Sequence, residues 1–124
     1  MGSILAPENG FEIYQGSAKT LELLVTDVDT GKALDLTDCD VYFTARRLIE
    51  DPIPVIFKSS LDPLQIAKTR PTYGIAQIYL GPTDTRSLEI GEYVFDVWVR
   101  LPSGKPYPVI EPSRLVVKWA VTRL

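Results

Sequence analysis

The sequence predicts an all-β fold: a two-sheet sandwich of seven to eight antiparallel strands behind a short extended N-terminal arm. Three observations carry that expectation. Residues 91–100 alternate, with Tyr93, Phe95, Val97 and Val99 on one side and Val94, Asp96, Trp98 and Arg100 on the other. A period of two marks a strand with one face in a core. Ten prolines and eight glycines are spread along the 124 residues, dividing the chain into short strand-like runs spaced by about 8–12 residues with no convincing long helix. Finally, Leu88, Gly91 and Tyr93 stand at the spacing of a tyrosine corner, the turn that leads into strand F of immunoglobulin-like sandwiches. The expected architecture is therefore immunoglobulin-like or fibronectin-III-like.

The elements follow in order. Residues 1–10, with Pro7, Asn9 and Gly10, read as an extended arm, and 11–124 as one sandwich domain. A first strand is expected over 11–15, ending at Gly16-Ser17. A second covers 20–26, with Leu21, Leu23 and Val25 inward. Residues 27–38 form a loop with Leu34 and Leu36 tucked beneath it, and 39–46 form a third strand whose Val41, Phe43 and Ala45 face the core. Two prolines and an acidic pair make 48–54 a connection, followed by a short edge strand over 55–58. Residues 61–71 read equally as a strand, a helical turn or a loop. A strand over 74–80 buries Ala76, Ile78 and Leu80, a turn or single helical turn spans 81–88, and Pro102-Ser103-Gly104-Lys105 closes a hairpin. The last strand, over 107–122, is expected to be interrupted near Glu111-Pro112-Ser113 and to point Leu115, Val117, Trp119 and Val121 inward.

In antibody domains a cysteine stands two residues after the corner tyrosine, and a tryptophan packs on its disulfide. Here Phe95 takes the first place and Phe43 the second. Cys39 is the one cysteine, so no intrachain disulfide and no cysteine-based zinc site is available. Aromatic packing in place of a disulfide points to a fold made in a reducing compartment.

Composition narrows the chemistry. Thirteen basic against sixteen acidic residues give a net charge of −3, a poor match to nucleic acid. No apolar run approaches the ~20 residues that span a bilayer, and residues 1–10 lack the pattern of a signal peptide. Histidine is absent, which removes the commonest general base and the commonest metal ligand together. No G-x-S-x-G elbow occurs, and the carboxylate pairs Glu50/Asp51 and Glu89/Glu92 fall in turns. The expectation is no enzyme, no cofactor and no small-molecule substrate. Asp27, Asp29, Asp35, Asp38 and Asp40 invite a calcium reading. They lack the EF-hand glutamate, and aspartate and glycine favour turns for backbone reasons alone. Gly16-Ser17-Ala18-Lys19-Thr20 is a phosphate loop in neither spacing nor context, because it enters a strand.

The outward positions are more informative. Trp98 and Tyr42 are expected side by side on the solvent face of neighbouring strands, and Tyr79, Val94 and Val116 also fall on outer faces. A cluster of tryptophan and tyrosine marks a contact surface more often than scattered apolar residues do. These five residues are the interface candidates.

The order of motifs adds a resemblance. Tyr14-Gln15-Gly16-Ser17-Ala18-Lys19-Thr20-Leu21-Glu22-Leu23 leads to Val25-Thr26-Asp27, then to Ala33-Leu34-Asp35-Leu36-Thr37 and Val41-Tyr42-Phe43-Thr44. Thr83-Asp84-Thr85, Leu88, Gly91-Glu92-Tyr93 and Asp96-Val97-Trp98-Val99 follow, and the chain closes on Val121-Thr122-Arg123. Over residues 11–123 this resembles the small immunoglobulin-like sandwich proteins of tailed bacteriophages, including the N-terminal domain of baseplate upper proteins. The group's G-D-T stands here as Gly16-Ser17-Ala18, and its D-L-T-G turn as Asp35-Leu36-Thr37-Asp38. The resemblance implies a non-catalytic virion subunit of a baseplate, tail-fibre attachment, tail-completion or capsid-decoration assembly, made in the bacterial host cytoplasm. Its implied partners are other virion proteins or further copies of itself. The alternative is a module that binds carbohydrate or a receptor through an exposed aromatic platform.

Overall fold

A computed structural model describes residues 10–123 and the backbone of residues 3–4. Among these residues the strands are β1 (Ser3–Ile4), β2 (Phe11–Tyr14), β3 (Lys19–Thr26), β4 (Asp40–Arg46), β5 (Ile56–Ser59), β6 (Ile66–Arg70), β7 (Ile75–Leu80), β8 (Gly91–Arg100) and β9 (Pro106–Lys118). A single short helix, α1 (Pro82–Thr85), precedes the corner into β8. The strands form a four-stranded sheet in the order β1-β3-β7-β6 and a five-stranded sheet in the order β2-β9-β8-β4-β5. The fold is an immunoglobulin-like sandwich, with one departure from the all-antiparallel expectation: β2 runs parallel to β9. Of the arm expected over 1–10, Ser3–Ile4 pair antiparallel with Thr26 and Val25; its remainder up to residue 9 lies outside the described residues.

Period-two burial follows the sequence pattern strand by strand. Leu21, Leu23 and Val25 of β3, Val41, Phe43 and Ala45 of β4, Ala76, Ile78 and Leu80 of β7, and Tyr93, Phe95, Val97 and Val99 of β8 are all buried. Leu36 is buried beneath the 27–38 loop, and Leu34 packs against the same core. At the centre Phe43 and Phe95 stack at 5.4 Å between centroids, and Phe11 meets Phe95 edge-on at 5.0 Å. Phe43 and Phe95 take the place of the missing disulfide and its tryptophan, and these two fully buried rings each contribute about 1.5–3 kcal/mol by burial. The tyrosine corner is present: the Tyr93 hydroxyl donates to the Glu89 carbonyl at 2.7 Å. Burial, opposed by the nearby Arg47 cation, raises that phenol above its ordinary value.

Residues 61–71, open in the sequence, resolve into a turn held by the Asp62 carbonyl, then edge strand β6, then the start of a 3₁₀ turn over Pro71–Tyr73. Gly74 ends that turn at φ +72°, and a Cβ there would stand 2.4 Å from the Val25 carbonyl oxygen. Only glycine lets the backbone reach β3 so closely.

β9 departs from expectation in two ways. It runs continuously through Glu111-Pro112-Ser113, absorbing the irregularity as register shifts against β8 that leave Val109 and Ile110 buried in succession. The prolines of β9 precede Leu115, where pairing with β2 begins, so their missing N–H groups cost no bond to β2. The strand then stops at Lys118. Trp119 and Val121, expected inward, are exposed at 61% and 101%. The cause is loss of both flanking strands: β2 pairs no further than Tyr14↔Lys118, and β8 begins at Gly91, opposite Val117. Without neighbours there is no sheet face for either side chain to share.

Candidate functional site

The outer face of the five-stranded sheet carries a grouping of exposed and half-buried aromatics. Tyr42 of β4 lies directly opposite Trp98 of β8, and Trp98 lies opposite Pro108 of β9. On the far side Phe57 of β5 stacks against Tyr42 at 6.2 Å. An apolar strip therefore crosses four adjacent strands: Phe57, Tyr42, Trp98, Pro108. Phe57 is 53% exposed and Trp98 37%, while Tyr42 is half-buried.

Local chemistry holds the strip in place. The Trp98 indole Nε1–H donates to Asp96 Oδ2 at 3.0 Å, which satisfies its one polar atom and sets its rotamer. The Arg100 guanidinium lies 5.6 Å from the centre of the Tyr42 ring. Next to the strip, Thr44, Arg46, Ile49, Val94, Asp96 and Pro112 line a shallow cleft of about 140 Å3. Ile49 reaches it because the 48–51 turn is closed by Arg46 Nη1 donating to the Asp51 carbonyl and by the Leu48 N–H donating to Asp51 Oδ2.

The candidate residues separate. Tyr42, Val94, Trp98 and Val116 share the five-stranded sheet, with Val94 opposite Arg46 and Arg114, and Val116 opposite Glu12 and Glu92. Tyr79 belongs to β7 in the other sheet, opposite Thr20, with its hydroxyl 3.1 Å from Gln77 Oε1. Sequence reasoning missed Phe57, Pro108 and Ile49. The alternation about buried Ile56 identifies Phe57 as outward, but its place beside Tyr42 depends on the β4–β5 register, which no local pattern carries.

The polar groups do structural work. Asp27 accepts from the Asp29 N–H at 2.9 Å, and Asp35 accepts from the Thr37 backbone N–H and hydroxyl, which lowers its pKa. Both are turn contacts. Among the described residues no group of three or more Cys, Asp and Glu side chains is arranged to hold a metal. Cys39 is buried and its thiol pKa is raised by desolvation, which makes it a poor nucleophile. The Lys58–Asp84 ion pair, at 2.9 Å and well shielded, ties β5 to α1. Among the described residues no helix is long and apolar enough to cross a membrane.

No family model matches the chain, and no curated protein matches it in sequence. Solved structures do. CopC from Methylosinus trichosporium OB3b aligns with a TM-score of 0.53 at 11% identity, covering 100% of both chains. The fibronectin(III)-like modules of Clostridium thermocellum CbhA align with a TM-score of 0.50 at 13% identity, covering 98% of this chain and 100% of theirs. At such identities the likeness shows the fold alone: an immunoglobulin-like, fibronectin-III-like β-sandwich.

Proposed function

We propose that this chain is a non-catalytic assembly subunit of a tailed-phage virion, acting by protein–protein contact through the outer face of its five-stranded sheet. The observation that carries the assembly part of this reading is the Phe57–Tyr42–Trp98–Pro108 strip. Aromatic residues clustered on a flat, rigid sheet lose little conformational freedom when covered, and they dominate the energetics of protein interfaces. The charged rim supplied by Arg46, Asp96 and Arg100 gives orientation. The virion part rests on the motif order between residues 11 and 123.

Light scattering on a size-exclusion column, run over a range of concentrations, tests the contact surface. Self-association that Trp98→Ala abolishes, with the fold intact, supports it; self-association that persists unchanged in Trp98→Ala contradicts it. The carbohydrate reading predicts something different: a glycan screen positive for the native chain and negative for Trp98→Ala. The half-burial of Tyr42 between Phe57 and the Arg100 guanidinium leaves less open ring than a sugar platform uses, which favours a protein partner.

A further inference from the structure

A second site lies at the end of the sandwich where β2 turns into β3, independent of the aromatic face. There Gln15, Gly16, Ser17, Arg86, Ala120, Thr122 and Arg123 line a pocket of about 320 Å3. Its lining holds two arginines and no carboxylate, in a chain with more acidic than basic residues. We propose that this pocket binds an oxyanion, a carboxylate or phosphate group, between Arg86 and Arg123.

The placement of the two cations on one carboxylate-free lining is the main argument. Three of the chain's thirteen basic side chains, Lys58, Arg114 and Lys118, pair with a carboxylate at 2.9–3.0 Å among the described residues. Among the described residues Arg86 forms no ion pair, and neither does Arg123, whose guanidinium stacks 4.4 Å above the Trp119 ring. A guanidinium held over an aromatic ring can still present its edge N–H groups, which recognise a carboxylate or phosphate with two parallel hydrogen bonds. The exposure of Trp119 thereby acquires a role: outside the sheet it is the platform that orients Arg123.

The pocket floor is built before any ligand arrives. The Gln15 N–H donates to the Lys118 carbonyl at 2.9 Å, Gln15 Nε2 to the Leu88 carbonyl at 2.6 Å, and the Gly16 N–H to the Oγ1 of fully buried Thr85 at 2.9 Å. Gly16 makes this turn at φ +77°. Thr122, also on the lining, carries a hydroxyl as a further donor type, and a preorganised floor lowers the entropy lost on binding.

The test is an NMR titration of the full chain with sodium phosphate and, separately, sodium succinate, at ionic strength held constant with sodium chloride. The expected result is a saturable shift of the Gly16, Ser17 and arginine side-chain N–H resonances with at least one anion. Arg86→Gln and Arg123→Gln should each weaken it by at least about tenfold, and Trp98→Ala should leave it unchanged. Saturation by phosphate alone assigns a phosphate group, and by succinate alone a carboxylate. Both arginines are exposed, so unchanged resonances far from the pocket verify folding of each variant. Failure of both anions to saturate, or titration of both arginine variants like the native chain, overturns the proposal.

Discussion

The two outer faces of this sandwich are made by the same alternation and differ in what it places there. On the four-stranded sheet the facing pairs are Thr20 with Tyr79, Glu22 with Gln77 and Leu24 with Ile75. Polar and apolar side chains interleave, and the one aromatic has its hydroxyl against a neighbouring amide. On the five-stranded sheet Tyr42, Trp98 and Phe57 adjoin across strands, with Pro108 continuing the strip. A scattered apolar residue is ordinary surface, whereas a continuous aromatic strip is surface that favours a cover. That difference is the reason the proposed contact surface is placed on the five-stranded sheet.

The largest effect expected of any substitution removes the comparison altogether, because both faces rest on one core. Phe95→Ala should cost about 3–5 kcal/mol, seen as a large drop in the midpoint of denaturant unfolding. Loss of association in that variant would say nothing about either face. Gly74→Ala places a Cβ against the Val25 carbonyl at positive φ and should cost about 1–3 kcal/mol. Its damage falls on β3 and β7 of the four-stranded sheet, so association through the other sheet should survive as long as the variant folds.

Tyr93→Phe sharpens the comparison from the opposite sheet. It removes one buried hydrogen bond to the Glu89 carbonyl, worth about 1 kcal/mol. The phenol also carries a pH signature. Its folded pKa is raised above 10.0, so the folded state keeps a proton that the unfolded state releases. That stability is fully present below pH 10 and is lost as pH rises through the folded value. Thermal midpoints measured up to alkaline pH should fall less steeply for Tyr93→Phe than for the native chain.

The smallest effects lie on the surface. Trp98→Ala should change unfolding stability by under about 1 kcal/mol while removing association, and that separation is the signature of an interface residue. Glu12, whose pKa is lowered by its hydrogen bond to Lys118, and Asp35, lowered by Thr37, both favour folding above their ordinary values. Their contribution is lost as pH falls through the folded values. Both are exposed charges, so the thermal midpoint should decline only gently on acidification, and less with added salt for the Glu12–Lys118 pair.

Much of this was legible in the sequence. The inward sets of β3, β4, β7 and β8 follow from alternation alone, and the tyrosine corner from the spacing of Leu88, Gly91 and Tyr93. Local signals fail where a neighbour decides. Trp119 and Val121 continue the alternation of β9, yet they leave the core because β2 and β8 have already run out. Residues 61–71 carry too few apolar positions to distinguish turn from strand until β7 offers an edge to pair with. At the candidate face, Trp98 and Tyr42 were readable as outward, but their adjacency to Phe57 and the separation of Tyr79 depend on register and sheet order. The pocket between Arg86 and Arg123 had no sequence signature, since it joins segments more than thirty residues apart through backbone contacts at one end of the sandwich.

Hydroxyl-radical footprinting with mass-spectrometric readout, comparing dilute with concentrated protein, tests the central claim most directly. The account predicts that Tyr42, Phe57 and Trp98 become protected from oxidation together on association, while Tyr79 and Trp119 react at unchanged rates. Protection centred on Tyr79, or association that leaves Trp98 and Phe57 as reactive as in dilute protein, would contradict it.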